Sequence, residues 1–149
     1  MAEESLVGRT GEPYTMRVEL GKLREFARAT KSKNPEYLED DEPVSPVTFL
    51  QTSGFWSGPN SYPAGRRGGV DMARLLHGGQ EFVFHGPPPK AGSVLTAQTR
   101  VDKEYTKEGS RGGSMNFTEV VTEFRDPSGR LVCESRSTSI ITERAPSEG

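Results

Sequence analysis

The spacing of apolar residues changes character between the two halves of this chain. In the first half, residues recur at intervals of three and four, as they do on one face of a short helix. They are Leu20, Leu23, Phe26, Ala27 and Thr30. Asn34-Pro35 is expected to end this helix, because the residue before a proline is pushed out of the helical region. The pattern therefore predicts a short amphipathic helix that runs into an Asn-Pro turn.

A second helix is predicted over residues 46–56. Pro46 suits the first helical turn, where its missing N–H is not needed. The apolar residues of this segment lie nearly all round the helix and are Val47, Phe49, Leu50 and Trp56. A helix that is apolar on all sides is typical of a buried position.

From Gln80 onward the period becomes two, which is the period of a strand. Four strands are expected, over residues 80–85, 95–101, 115–125 and 130–143. The last strand presents a face of small residues that would let a helix approach the sheet closely, made of Cys133, Ser135, Ser137, Ser139 and Ile141. Helices followed by strands, rather than alternation of the two, indicate the α+β class with a three- or four-stranded antiparallel meander.

Composition narrows the class of protein. The 149 residues suit one domain, 1–149, with ordered structure expected from about Val7 to Arg144. The hydrophobic fraction of 32% predicts a modest core that another subunit partly completes. A net charge of −2 argues against a nucleic-acid partner. Because no apolar run approaches the roughly 20 residues that span a bilayer, and no secretory signal is visible, we expect a cytoplasmic protein without a membrane partner.

Two features could have indicated a metal or redox site, and neither does. The acidic run Glu39-Asp40-Asp41-Glu42 has no neighbouring histidine and no calcium-loop pattern, so we expect no metal and interpret it as a solvated loop. Cys133 is the single cysteine, which excludes an intrachain disulfide. It lies within a strand-like run and is interpreted as a small buried hydrophobe.

Three stretches, in their order and spacing, resemble the MaoC-like (R)-specific hydratases and dehydratases. Residues 23–37 resemble the segment that carries a Gly-Asp-x-Asn-Pro run. Residues 46–49 resemble the Pro-Thr-Phe start of the central helix, and residues 76–95 resemble the His-Gly-x-Gln-x-Phe strand and its successor in N-terminal dehydratase domains. The resemblance implies a hot-dog fold, in which an antiparallel β-sheet wraps around a central α-helix.

The acid/base positions of that family are substituted here. In the family, the Asp of the Gly-Asp-x-Asn-Pro run and a following His form the acid/base pair. Ser32 stands at the Asp position and Tyr37 at the His position, and Ser93 replaces a further Asp after Gly92. Serine and tyrosine hydroxyls titrate far above neutral pH and do not serve unaided as a base. The resemblance thus implies a chain without catalytic residues of its own, active only within a hydro-lyase complex.

By the same resemblance, the partner is a catalytic MaoC-like hot-dog subunit, in a heterodimer or a dimer of heterodimers. The substrate would be an acyl-CoA or acyl-carrier-protein thioester, with no cofactor. We expect the acyl-pocket walls to come from Phe49, Phe55, Trp56 and Leu76. Arg66 and Arg67 could bind a phosphate of the carrier, since arginine suits phosphate geometry, or could belong to a plain surface loop.

Other interpretations stay open. His77 and His85 are candidate bases. For His77, packing or hydrogen bonding is the favoured role, and the likeness of the segment from His85 to a second hot-dog dehydratase signature is interpreted as accidental. Hot-dog folds also host acyl-CoA thioesterases, which usually place an acidic residue near the central helix; residues 46–69 contain none. An acyl-binding homodimer without enzymatic activity is the third possibility.

Overall fold

The computed structural model of this chain describes residues 4–63, 71–110 and 113–145. The strands are β1 Tyr14–Arg17, β2 Leu75–Phe84, β3 Val94–Glu108, β4 Ser114–Arg125 and β5 Leu131–Thr142. The α-helices are α1 Leu20–Ala29 and α2 Pro35–Glu39, and the 3₁₀ helices are Phe49–Phe55 and Met72–Arg74. None of the helices in these described ranges is both long and apolar enough to cross a membrane.

The strands form one antiparallel sheet in the order β1-β3-β4-β5-β2. β3, β4 and β5 are the predicted meander. β2 crosses over to the far side of β5, and β1 pairs with β3 through Tyr14↔Ala97. Three features differ from the prediction. β1 was not expected, β2 begins at Leu75 rather than near Gln80, and β3 continues to Glu108 rather than ending at Val101. The early part of β2 contains a bulge between His77 and Gly79, which interrupts the alternation that sequence reasoning depends on.

α1 ends earlier than predicted. Its last residue is Ala29, the Thr30 hydroxyl donates to the Phe26 carbonyl at 3.0 Å, and Lys31 adopts a positive φ of 58°. Asn34 begins α2 instead, because its side chain accepts from the Glu36 N–H at 3.1 Å while Pro35 occupies the first turn. The predicted Asn-Pro turn was therefore wrong, and this dipeptide is the start of a second short helix.

The segment predicted as an all-round buried helix is a 3₁₀ helix that is buried at Phe49, Leu50 and Ser53 and is half-buried or exposed at its other positions. Leu50, Ser53 and Trp56 recur every three residues, the period of a 3₁₀ helix, and face the protein. Phe55, one position before Trp56, points outward and is 80% exposed, with the Lys22 ammonium 5.4 Å from its ring centre. Val47 is also exposed, at 60%. The expectation of burial on every side was wrong for this reason.

The core lies between one end of the sheet and the helices. Leu23, Phe49 and Leu50 pack on a set of buried strand residues that includes Leu95, Ala97, Phe124 and Cys133. The rings of Phe26 and Phe49 meet edge to face, with centroids 5.6 Å apart. The interpretation of Cys133 as a buried hydrophobe is confirmed, and burial raises the pKa of its thiol to about 11.

Candidate functional site

The inner face of the sheet, which carries the core, turns polar part of the way along the strands. At the core end, Phe124 lies between Ala97 and Cys133. Two residues further along β4, Thr122 lies between Thr99 and Ser135. Side chains paired across antiparallel strands share a face, so these hydroxyl groups continue the same inner surface.

An open cleft of about 700 Å³ lies over this polar zone. Its floor is formed by Gln80, Thr99, Val120, Thr122, Ser135 and Ser137. Its walls come from the 3₁₀ helix and the loop that follows, and include Tyr14, Leu50, Ser53, Gly58, Ser61 and Tyr62. The volume falls within the range of ordinary small-molecule sites.

Hydroxyl and amide groups of the cleft bond to one another in pairs. The hydroxyls of Thr99 and Thr122 are 2.8 Å apart, and the Gln80 amide donates to the Ser135 hydroxyl at 2.7 Å. The Tyr14 hydroxyl donates to Ser53 Oγ at 3.2 Å. Burial raises the pKa of Tyr14, and the bond to Ser53 offsets part of that rise. Among the cleft residues that the structure describes there is no carboxylate, histidine, lysine or arginine, so no ordinary acid or base lines it.

The N-terminal segment fastens the loop of the cleft to the sheet. The Gly11 N–H donates to the Thr99 carbonyl at 2.8 Å, and the next residue, Glu12, donates to the Asn60 carbonyl at 2.9 Å. The Gln98 amide donates to the Gly11 carbonyl at 3.0 Å. A Cβ on Gly11 would lie 1.9 Å from the Ser61 carbonyl oxygen, so only glycine permits this close approach.

Ser32 and Tyr37 are not brought to this cleft. The Ser32 hydroxyl accepts from the Asn34 N–H at 3.3 Å, in the connection between α1 and α2. Tyr37 lies in α2 and packs against the edge of the core. The acid/base positions of the resemblance therefore lie on the helical side of the protein.

The four residues predicted as pocket walls occupy four different environments. Phe49 is fully buried in the core, and Trp56 packs partly buried against it. Phe55 is exposed, and Leu76 pairs with Ile140 on the outer face of the sheet, 41% exposed. None of the four lines the cleft. Arg66 and Arg67 lie outside the described residues.

The sequence analysis does not predict the polar floor as a site, although some of its residues carry a signal. The sequence predicts that Ser135 and Ser137 belong to a small-residue face of the last strand, which a helix would approach closely. In the structure they face the cleft with Gln80. The signal for the floor lies in polar residues at inward positions between apolar ones, with Thr99 between Ala97 and Val101 on β3 and Thr122 between Val120 and Phe124 on β4.

The two histidines lie away from the cleft lining. His85 Nε2 is 3.0 Å from Glu134 Oε2 on the outer face, and Arg136 lies 3.4 Å from the same carboxylate. His85 first, and Arg136 second, lower the pKa of Glu134. His77 pairs with Ser139 on the inner face, beside the bulge of β2. Within the ranges that the structure covers, no three His, Cys, Asp or Glu side chains are grouped as a metal site would need.

Comparison with known proteins gives one family and one fold. Residues 5–135 match the family model described as the FAS1-like dehydratase domain region. A UPF0336 protein from Saccharopolyspora erythraea is 28% identical over 148 residues, covering 93% of this chain and 90% of the relative. A UPF0336 protein from Streptomyces coelicolor is 28% identical over 140 residues, covering 87% of this chain and 88% of the relative.

Solved structures of similar fold include two complexes from Mycobacterium tuberculosis. A chain of the truncated HadBC (3R)-hydroxyacyl-ACP dehydratase complex has a TM-score of 0.69 at 24% identity, covering 92% of this chain and 98% of that one. A chain of the ChsH1-ChsH2 complex has a TM-score of 0.69 at 14% identity, with 93% and 86% covered. The R-hydratase PhaJ1 from Pseudomonas aeruginosa gives 0.63 at 18%, with 97% and 84% covered. The predicted α+β hot-dog fold is confirmed.

Proposed function

Since this chain belongs to the family of FAS1-like dehydratase domain regions, among the MaoC-like hot-dog proteins, we propose that it is the non-catalytic subunit of a heteromeric hydro-lyase. The reaction is (R)-specific hydration of an enoyl thioester, or dehydration of the corresponding (3R)-hydroxyacyl thioester. A partner hot-dog subunit supplies the acid/base pair, and this chain supplies structure and part of the substrate pocket.

The observation that carries the proposal is a substrate-sized cleft without an acid or a base. Hydration needs one group to deprotonate water and one to deliver a proton to the α-carbon, and both must titrate near the working pH. The polar side chains among the described cleft residues are neutral hydroxyls and amides. Ser32 and Tyr37, at the family's acid/base positions, are hydroxyl residues too. Such a chain completes an active site built elsewhere.

The free edge of β2 offers a place for the partner. β2 is ten residues long and pairs with β5 along one side, and no described strand pairs with its other side. A long open edge is a liability in a free protein and a ready site for strand addition. Two of the structures with similar folds carry names that describe complexes, HadBC and ChsH1-ChsH2, which is consistent with a hot-dog partner.

The remaining sequence predictions fit this arrangement as follows. Phe49 and Trp56 support the acyl pocket through the core, whereas Phe55 and Leu76 are exposed and would contact the acyl group or the partner only in the assembly. Arg66 and Arg67 are proposed to bind the phosphate of CoA or of a carrier protein. The proposed location is the cytoplasm.

The test begins with native mass spectrometry of the tagged chain purified from its own source. We expect a complex with a second hot-dog subunit that hydrates octenoyl-CoA, while the isolated chain does not. Ser32→Ala and Tyr37→Ala should change kcat/KM by less than about twofold, and alanine at the acid/base Asp of the partner should abolish turnover. Hydration by a homomeric form of this chain, or a large loss in either alanine variant, would refute the proposal.

A further inference from the structure

The lining of the cleft is chemically unlike that of a site for a plain hydrocarbon. Eleven of its sixteen residues carry a hydroxyl or an amide, and only Leu50, Pro59 and Val120 are aliphatic or cyclic hydrocarbon side chains. Small-molecule sites are usually lined mainly by apolar and aromatic groups, with a few polar groups that orient the ligand. Here the proportions are reversed. An occupant of this cleft must therefore offer polar atoms of its own.

The hydroxyl groups retain hydrogen-bonding capacity after they have paired. The Gln80 amide donates to Ser135 and the Tyr14 hydroxyl donates to Ser53, so both serine protons remain available. One of the two protons of the Thr99–Thr122 pair is likewise unused. Three donors thus remain at the cleft.

The residues that carry two of these donors are largely buried. Thr99 is 6% exposed and Ser53 is 9% exposed. An alkyl chain laid on them would remove the remaining water and leave the donors without acceptors, which is unfavourable. A carbonyl or hydroxyl oxygen of the ligand would accept from them instead. A charged group is not favoured, since no described lining residue carries a charge.

We propose that the cleft binds an oxygenated acyl chain, one with carbonyl or hydroxyl groups beyond the carbons that undergo hydration. The inference rests on the proposed function and specifies its substrate class. The thioester end lies towards the partner's acid/base pair, and the oxygenated part of the chain lies on the floor formed by Thr99, Thr122 and Ser135. Saturated acyl chains of the same length bind more weakly.

Binding tests the proposal directly, with the chain in the assembly in which it is purified. The probes are octanoyl-CoA and a set of octanoyl-CoA analogues, each with one keto oxygen beyond the third carbon. Isothermal titration calorimetry gives each Kd. We expect at least one keto analogue to bind about tenfold more tightly than octanoyl-CoA, the equivalent of one neutral hydrogen bond.

Two variants connect that preference to the floor. Thr122→Val and Ser135→Ala remove one hydroxyl each with little change of volume, and each should reduce the preference to about twofold while leaving the Kd of octanoyl-CoA unchanged or lower. Thr96→Val is the matched control, because Thr96 lies on β3 but is exposed on the opposite face. It should leave both affinities unchanged.

Equal binding of octanoyl-CoA and every keto analogue would overturn the inference, and so would a preference that survives in both floor variants. The proposed function is judged separately, by turnover of octenoyl-CoA. Turnover without the preference would leave the hydro-lyase standing and reject the oxygenated substrate. The preference without turnover would support the binding site and reject the hydro-lyase, whereas absence of both would reject the two together.

Discussion

Gly11 is the position where a single methyl group should most clearly test how the cleft is held together. The segment around it is fixed on both sides, by the bond from Gly11 N–H to Thr99 and by the bond from Glu12 N–H to Asn60. In Gly11→Ala, the new Cβ would lie 1.9 Å from the Ser61 carbonyl oxygen and 2.4 Å from its carbonyl carbon. Both atoms are backbone atoms, so the clash cannot be relieved by a side-chain rotation.

The magnitude follows from the displacement that the methyl group demands. Real Cβ contacts stay beyond 3.0 Å, so the loop carrying Ser61 must move away by about an ångström. Overpacking of this kind costs roughly 1–3 kcal/mol. Loss of the Glu12–Asn60 hydrogen bond adds roughly 0.5–1.5 kcal/mol. We expect Gly11→Ala to lower the free energy of unfolding by about 2–4 kcal/mol, which for a domain of this size corresponds to a fall in Tm of roughly 5–15 °C.

Thermal unfolding followed by circular dichroism measures this change, and amide hydrogen exchange locates it. Exchange should accelerate in the loop of Asn60 and Ser61 and remain slow in the middle of β4. Gly54→Ala is the matched control, because Gly54 also lines the cleft but a Cβ there meets no atom within 4 Å. A Tm for Gly11→Ala within one degree of the control would show that the loop is not fastened as we describe.

Three further predictions concern stability and reactivity. Gly21→Ala, in the first turn of α1 and with open space at its Cβ, should raise the free energy of unfolding by roughly 0.5 kcal/mol, measured by urea denaturation. Glu134→Gln should destabilise the protein by about 1 kcal/mol at pH 7. Because His85 lowers the pKa of Glu134 in the folded state, the Glu134 carboxylate stabilises the fold above the ordinary glutamate pKa, and this stabilisation is lost as the pH falls through the lower folded-state pKa. The Tm values of wild type and variant should therefore converge in thermal melts at acid pH. Cys133 should resist iodoacetamide at pH 8 until denaturant is added, since burial raises the pKa of its thiol to about 11; rapid alkylation of the native protein would contradict its placement in the core.

The back half of the sheet was predictable because its signals are local. β4 and β5 were placed within one or two residues of their observed bounds, since alternation defines each strand and Asp126-Pro127-Ser128-Gly129 separates them. The sequence pattern does not predict β1, and the reason is physical. Its four residues are too few to show a period, and it is a strand because its backbone pairs with Val94–Ala97 of β3. A contact between segments so far apart in the chain leaves no local pattern.

The cleft was less predictable than the fold because its residues come from separate segments. Thr99 lies on β3, Thr122 on β4, and Ser135 and Ser137 on β5. Their proximity follows from the register of three strands, which the sequence does not reveal. Three of the four predicted pocket walls are aromatic, and the structure either buries such a ring in the core, as with Phe49, or exposes it, as with Phe55.

The length of the 3₁₀ helix matches the extent of the apolar part of the inner face, which ends where the polar floor begins. A long apolar helix lying across the whole inner face would cover Thr99, Thr122, Ser135 and Ser137, and each hydroxyl left without a partner would cost roughly 1–3 kcal/mol. The helix instead covers the apolar end of the sheet, where Phe49 and Leu50 meet buried side chains, and ends at Phe55 before it would cover the hydroxyls. If the floor were apolar, the short helix would leave it exposed to water. If the helix were longer, it would cover hydroxyl groups without offering them hydrogen-bond partners. The sequence therefore specifies the open cleft twice, once by the short 3₁₀ helix and once by the polar residues of the strands. This is expected if the cleft is a retained feature of the fold.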